Sequence, residues 1–240
     1  MLRSKTTVFV MIGALVLMTG AFTAVSPSDP AGATATTADI DEFVLVNGDE
    51  VAEADFISRL ASVEQSMVML QAQAETAPND DEQTNELLDI LEVTPAETIA
   101  LASLILDMAI YQEAVERGHL PDREVITQQV EQERQTFEMI EADPDQFGVD
   151  PADVERYRDN IEEIGEARYW SEYYPQIMEQ QMAVQQLQMA TQQTGEDWIE
   201  IQRSAFNGAE IVLGDPDAVS PATVTDAGAY LNRIWELTQS

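Results

Sequence analysis

The chain has no cysteine and a single histidine, His119. The first absence excludes disulfides, thiol chemistry, Cys-based metal sites and a lipid-modified N-terminal cysteine. The second leaves no pair of imidazoles for a metal centre and no second histidine for a proton relay. Lysine is also missing after Lys5, so every later base is an arginine. Of the 45 acids only Asp29 precedes residue 34, and of the 11 bases only Arg3 and Lys5 do. Beyond that point 44 acids therefore face nine arginines, a balance of −35. Nucleic acid and anionic lipid surfaces repel such a chain. Three readings of the acidity stand side by side: calcium binding, a halophile-like adaptation in which salt screens self-repulsion, and a solvated surface that keeps the protein soluble. No G-x-S-x-G, H-E-x-x-H, P-loop or dinucleotide fingerprint is present. With carboxylates this abundant, no catalytic pair stands out, so neither an enzyme nor a cofactor is expected.

What is present begins with an export-type leader. Arg3 and Lys5 precede an apolar run, VFVMIGALVLMTGAF, at 8–22. Ala31-Gly32-Ala33 and Ala33-Thr34-Ala35 follow as A-x-A sites. This order is that of a secretory signal over residues 1–33. The 18 uncharged residues from Val8 to Val25 are also close to the minimum for a membrane anchor, and both readings stay open. Either one places the rest of the chain outside the cytoplasm, with membrane contact only through residues 8–25 if the leader is retained. Residues 34–42 read as a polar linker.

The remainder reads as mainly helical. FVLV at 43–46 is a short strand and Asn47-Gly48 a turn, because both residues tolerate positive φ. From Ala52 a helix carries Phe56, Leu60, Val63, Met67, Leu70 and Ala74 on one face. ETAPNDDEQTNE, 75–86, reads as an acidic loop before a short LLDILE helix. Thr94, Pro95 and Glu97 form a capping-box signal for a helix that is apolar on nearly all sides, IALASLILDMAIY, and hence buried. Gly118 ends it, with His119 as a helix-end residue. The next helix starts around Asp122 and runs to about Ala142 with Ile126, Val130, Phe137 and Ile140. Asp150-Pro151 opens another, with Val154, Tyr157, Ile161 and Ile164. The segment 166–193 is expected to be one long helix broken or kinked at Pro175. A short helix at 196–206, a strand AEIVL at 209–213, a loop and an amphipathic helix at 226–240 complete the chain. Two isolated strands need hydrogen-bond partners, so 43–46 is expected to pair with 209–213.

This order of elements resembles the N-terminal domain of SurA-type extracytoplasmic chaperones, and more loosely PrsA and trigger factor. The resemblance is carried by Val46-Asn47-Gly48 with Phe56 and by Leu101, Leu104, Ile105, Ile110, Gln112, Glu113, Ala114 and Gly118. PDREV with Asp122 and Val125, the stretch YWSEYYPQI, and Ala209 with Ile211 complete it. It covers roughly 43–214, leaving 215–240 as a C-terminal extension. An acidic insertion at 75–92 departs from the pattern. The family's parvulin domain takes on the order of 90–100 residues. Only 27 follow Leu213, so the expectation is the chaperone part alone. The resemblance implies an ATP-independent holdase for unfolded or newly translocated polypeptides. A cell-surface adaptor with one partner, or an accessory to a separate isomerase, are the alternatives.

Two stretches qualify as sites. DPDQFGVDPADVE at 143–155 has Asp143, Asp145 and Gly148 where a calcium loop wants them. Phe147 and Val154 stand at ligand positions, however, and Asp150 serves better as a helix cap. No metal is expected. The long helix combines aromatic, methionine and glutamine side chains suited to adaptable apolar contact. Trp170, Tyr173, Tyr174, Met178, Met182 and Met189 are the candidate client-binding residues. Ordinary core packing is the competing account of the same stripe.

Overall fold

The computed structural model describes residues 43–76, 82–214 and 220–239. The leader, the linker, positions 77–81 and 215–219, and Ser240 lie outside the described residues. The chain divides into two compact units, Met1–Glu113 with Thr191–Ser240, and Ala114–Ala190.

The first unit is organised around a small antiparallel sheet in the order β2-β1-β3. β1 (Val44–Val46) and β2 (Asp49–Val51) form a hairpin whose register pairs Val46 with Asp49. Asn47 (φ 53°) and Gly48 (φ 90°) are both left-handed, the geometry of a two-residue type I′ turn. β1 then pairs with β3 (Ile211–Leu213), Val44 opposite Leu213, so the expected strand pairing is present. β2 is an addition to that expectation. Its sequence, DEV, lacks the apolar alternation of a strand, and the turn's register draws it into the ladder. Val44 and Val46 are fully buried, each worth about 1.5–3 kcal/mol of burial.

Helix α1 (Glu53–Thr76) buries Val63 and half-buries Phe56, Leu60, Met67 and Leu70 along the expected stripe. It also buries Asp55 and Arg59, and it exposes Ile57, Val68 and Met69. Helix α2 (Glu82–Val93) is longer than the LLDILE expected, because Thr84, Leu87, Ile90 and Leu91 bury one face and extend the helix back into the acidic stretch. The capping box at Thr94 takes another form. Thr94 Oγ1 donates to the Ile90 carbonyl (2.6 Å) and closes α2. The Pro95 carbonyl opens α3 (Ala96–Glu116), accepting from the Thr98 and Ile99 amides. Among the described residues only α3 is long and apolar enough to cross a membrane, and two thirds of its apolar window is buried. Leu101 and Ile105 are fully enclosed, and the half-exposed polar members Ser103 and Asp107 share a face. The helices at Trp198–Gly208 and Pro221–Gln239 complete this unit.

In the second unit, Gly118 (φ 77°) ends α3 with a Schellman pair: its amide donates to Val115 and that of His119 to Ala114. Helix α4 (Arg123–Ala142), the single turn α5 (Pro144–Phe147) and α6 (Pro151–Ile164) follow. Asp122 holds the cap position of α4 through its carbonyl, without a side-chain cap bond. The long segment continues as α7 (Glu166–Arg168), a π-helical turn (Tyr169–Tyr173) and α8 (Tyr174–Thr194). The irregularity expected at Pro175 thus falls one turn upstream. A proline ring clashes with the carbonyl four residues back and supplies no amide, and the wider π turn absorbs this: the Tyr174 amide donates to Tyr169, five residues earlier.

Back in the first unit, Asp197 caps α9 (Trp198–Gly208) by accepting from the Ile199 amide (2.9 Å), and the helix runs through Asn207-Gly208 rather than stopping before them. The terminal helix α10 (Pro221–Gln239) starts five residues before the expected 226, because Ser220 Oγ accepts from the Thr223 amide and Pro221 suits the first turn. It packs against α2 and α9 and buries Tyr230, Leu231, Ile234, Trp235 and Leu237. Trp235 meets Phe206 edge-on, with ring centroids 6.2 Å apart.

Candidate binding cleft

Three of the segments that carry the SurA-type resemblance, Val46-Asn47-Gly48, Gln112 and the stretch after Ala209, meet at the sheet of the first unit. The left-handed turn at Asn47 frees its side chain to bond outward. The Asn47 amide donates to the Glu210 carbonyl (2.8 Å), and the Glu210 amide donates to Asn47 Oδ1 (2.7 Å). Asn47 Nδ2 donates to Gln112 Oε1 (2.7 Å). Gln112 Nε2 in turn donates to the Val46 carbonyl (2.9 Å) and to Asp49 Oδ2 (2.7 Å). One asparagine and one glutamine therefore tie the hairpin to α3 and to Glu210, 163 residues later and directly before β3. Together these bonds form a structural lock.

In the second unit five of the six candidate client residues belong to one packed cluster. Trp170 and Met178 are buried in one cluster with Ile126, Val130, Ile161 and Tyr169, and Tyr173, Tyr174 and Met182 pack against it half-buried. Met189 stands apart, exposed on α8. The π turn explains why so many rings gather. It stacks Tyr169 on Tyr174, five residues on, at 5.6 Å and 22°, and sets Trp170 edge-on to Tyr169 at 4.9 Å. Tyr157 and Tyr169 share a hydroxyl–hydroxyl hydrogen bond of 2.7 Å. Burial raises both phenols above their ordinary value, and it pushes Tyr174 up to about 12, helped by Tyr157 and Glu133. All three stay neutral at physiological pH.

The open concavity lies elsewhere in this unit, between α4 and α6. Asp143 and Asp150 build the corner that spreads these helices. Asp143 Oδ1 accepts from the Gln146 amide (3.3 Å) and Asp150 Oδ1 from the Ala152 amide (2.9 Å), each ahead of a proline. Asp143 and Asp150 of the calcium-loop motif are thus helix caps, and Asp145 lies in the first turn of α5. Among the described residues no group of three His, Cys, Asp or Glu side chains is placed to hold a metal ion.

The resulting cleft has a volume of about 250 Å³. Phe137, Ile140, Val149, Val154 and Tyr157 form its walls, with Thr136, Glu133 and Asp153 completing the lining. Phe137 and Tyr157 meet edge-on at 4.9 Å. The volume is below the roughly 300–1,000 Å³ of small-molecule sites, and it matches one or two bulky side chains better than a cofactor. A smaller hollow of about 80 Å³ lies beside Phe137 and Trp170. Its arginines are engaged: Arg134 with Glu138 (3.3 Å) and Glu166 (3.7 Å), and Arg158 with Glu141.

Sequence reasoning placed Phe137 and Tyr157 on separate helical stripes and missed that they face each other. The Asp143 and Asp150 caps were the available signal, since they fix where α4 ends and α6 begins. Comparison with family models, curated proteins and solved structures returned no match.

Proposed function

We propose that this protein is an exported, ATP-independent chaperone of the holdase type that binds unfolded or newly translocated polypeptides. The observation that carries the proposal is the lock at the sheet. Val46-Asn47-Gly48, Gln112 and the strand after Ala209 each belong to the SurA-type pattern, and they are mutually hydrogen-bonded. A shared pattern of this kind is better accounted for by a common architecture than by chance spacing. The apolar cleft supports the reading too, because it offers a client side chain a place on an otherwise acidic surface. In this proposal the acidic exterior keeps complexes with clients in solution, and the leader supplies the route out of the cytoplasm.

The test is suppression of aggregation. Several unrelated, chemically unfolded proteins are diluted into buffer with increasing amounts of the chain, at low and at high salt. Near-stoichiometric protection of more than one client is expected. Protection of none at either salt concentration sinks the proposal, and stable capture of a single partner favours an adaptor.

A further inference from the structure

We infer that the cleft between α4 and α6 is a subsite for one bulky apolar side chain presented by a basic polypeptide segment, with arginine or lysine close to the anchor. This rests on the polypeptide-binding reading and names the class of segment that the cleft selects.

Three observations point to that occupant. The walls are apolar and aromatic, and the volume suits a side chain rather than a cofactor. The polar lining carries two carboxylates, Glu133 and Asp153, and no base. Nearby arginines do not change that sign. Arg134 and Arg158 line the other hollow and are held there by Glu138, Glu166 and Glu141. Arg156 reaches Asp153 (2.7 Å), but both side chains are well exposed, so this pair is weak and exchanges readily for a ligand cation. Glu133 accepts from the neutral amide of Gln129. A segment bearing acids, or a second copy of this acidic chain, would meet repulsion at the same place. Elsewhere on α4 and α5, Met139 and Phe147 are exposed.

The full chain is titrated by calorimetry with three short synthetic peptides: a central Phe flanked by Arg, the same Phe flanked by Glu, and an Arg-flanked Ala. At low salt the Arg–Phe peptide is expected to bind at least about tenfold more tightly than either of the others, the increment of one buried apolar side chain for the Ala comparison. Its advantage over the Glu–Phe peptide shrinks near 1 M salt, where the screening length falls to about 3 Å. Thr136→Trp, which fills the cleft, is expected to abolish the Phe-over-Ala preference. Val149→Trp on the opposite wall serves if the first variant loses its circular dichroism signal. Equal binding of the Arg–Ala and Arg–Phe peptides overturns the inference, since it reduces binding to bulk charge. So does an unchanged Phe preference in a folded cleft-filled variant. Aggregation assays on the same proteins separate the two readings. Client protection that survives with no Phe preference removes the subsite alone. Phe-selective binding without client protection removes the holdase and leaves the subsite.

Discussion

Replacing Asp107 with Asn tests the least comfortable feature of the first unit. Arg59 Nη2 and Asp107 Oδ2 are 2.8 Å apart, and the arginine side chain is only 2% exposed while that of Asp107 is 23% exposed. Asp55, one turn before Arg59 on α1, is also buried. Burial pushes the Asp107 carboxyl up from its ordinary 3.8 to about 6, and the Arg59 guanidinium only partly offsets this. The folded protein therefore holds the Asp107 proton more tightly than the unfolded chain does. Stability from this group is fully present below pH 3.8 and is lost as pH rises through about 6. The gap corresponds to about 3 kcal/mol. Asparagine imitates the neutral acid and still offers Arg59 an acceptor. Wild-type stability minus that of Asp107→Asn should thus fall by about 3 kcal/mol between pH 3.5 and 7.5, whatever the other carboxylates do to both proteins. Urea denaturation at fixed ionic strength, followed by circular dichroism, measures the difference at each pH. Parallel curves within about 0.5 kcal/mol across this range refute the reasoning, because they mean that Asp107 titrates normally. Arg59→Met should move the step to higher pH, since it removes the guanidinium that holds the Asp107 carboxyl down against its burial.

Asn47→Ala should cost about 3 kcal/mol, from two side-chain hydrogen bonds of about 1 kcal/mol each and about 1 kcal/mol for a left-handed alanine. Asn47→Gly should recover the last part, and equal losses in urea titrations would remove the backbone contribution. Tyr157, Tyr169, Tyr174 and Tyr230 are raised by burial, so tyrosinate absorbance of the folded protein at pH 10.5 should fall well short of that of all six tyrosines. Their sign makes stability decline as pH climbs past the ordinary phenol value of about 10, and a normal absorbance titration would contradict this. A net charge of −34 predicts that folding is strengthened by NaCl as screening shortens from about 10 Å at 0.1 M to about 3 Å at 1 M. A flat, fully folded signal from dilute buffer upward would discard the salt-adaptation reading.

What could be read from the sequence, and what could not, follows the range of the interactions involved. The apolar run of α3, the stripe of α6 with its Asp150 cap, and the antiparallel pairing of the two end strands are written in local periodicity or in the need to satisfy backbone groups. The third strand was not legible, because Asp49–Val51 owes its conformation to the register of the turn before it. The π turn was half legible. Pro175 announced an irregularity, but a proline acts on the carbonyl four residues back, and the aromatic cluster fixed how the helix absorbed it.

The site was the least legible part for the same reason. A stripe rich in Trp, Tyr and Met is equally suited to a core and to a groove, and only the three-dimensional arrangement separates them. Here α4 and α6 cover the Trp170–Met178 side of the stripe, and covering it leaves Phe137 and Tyr157 at the open end of the same seam. The cleft is a consequence of the packing that hides the more conspicuous residues. Its binding chemistry is therefore tied to the stability of the second unit: a substitution that loosens Trp170 should also widen the cleft and blunt any preference among anchor side chains.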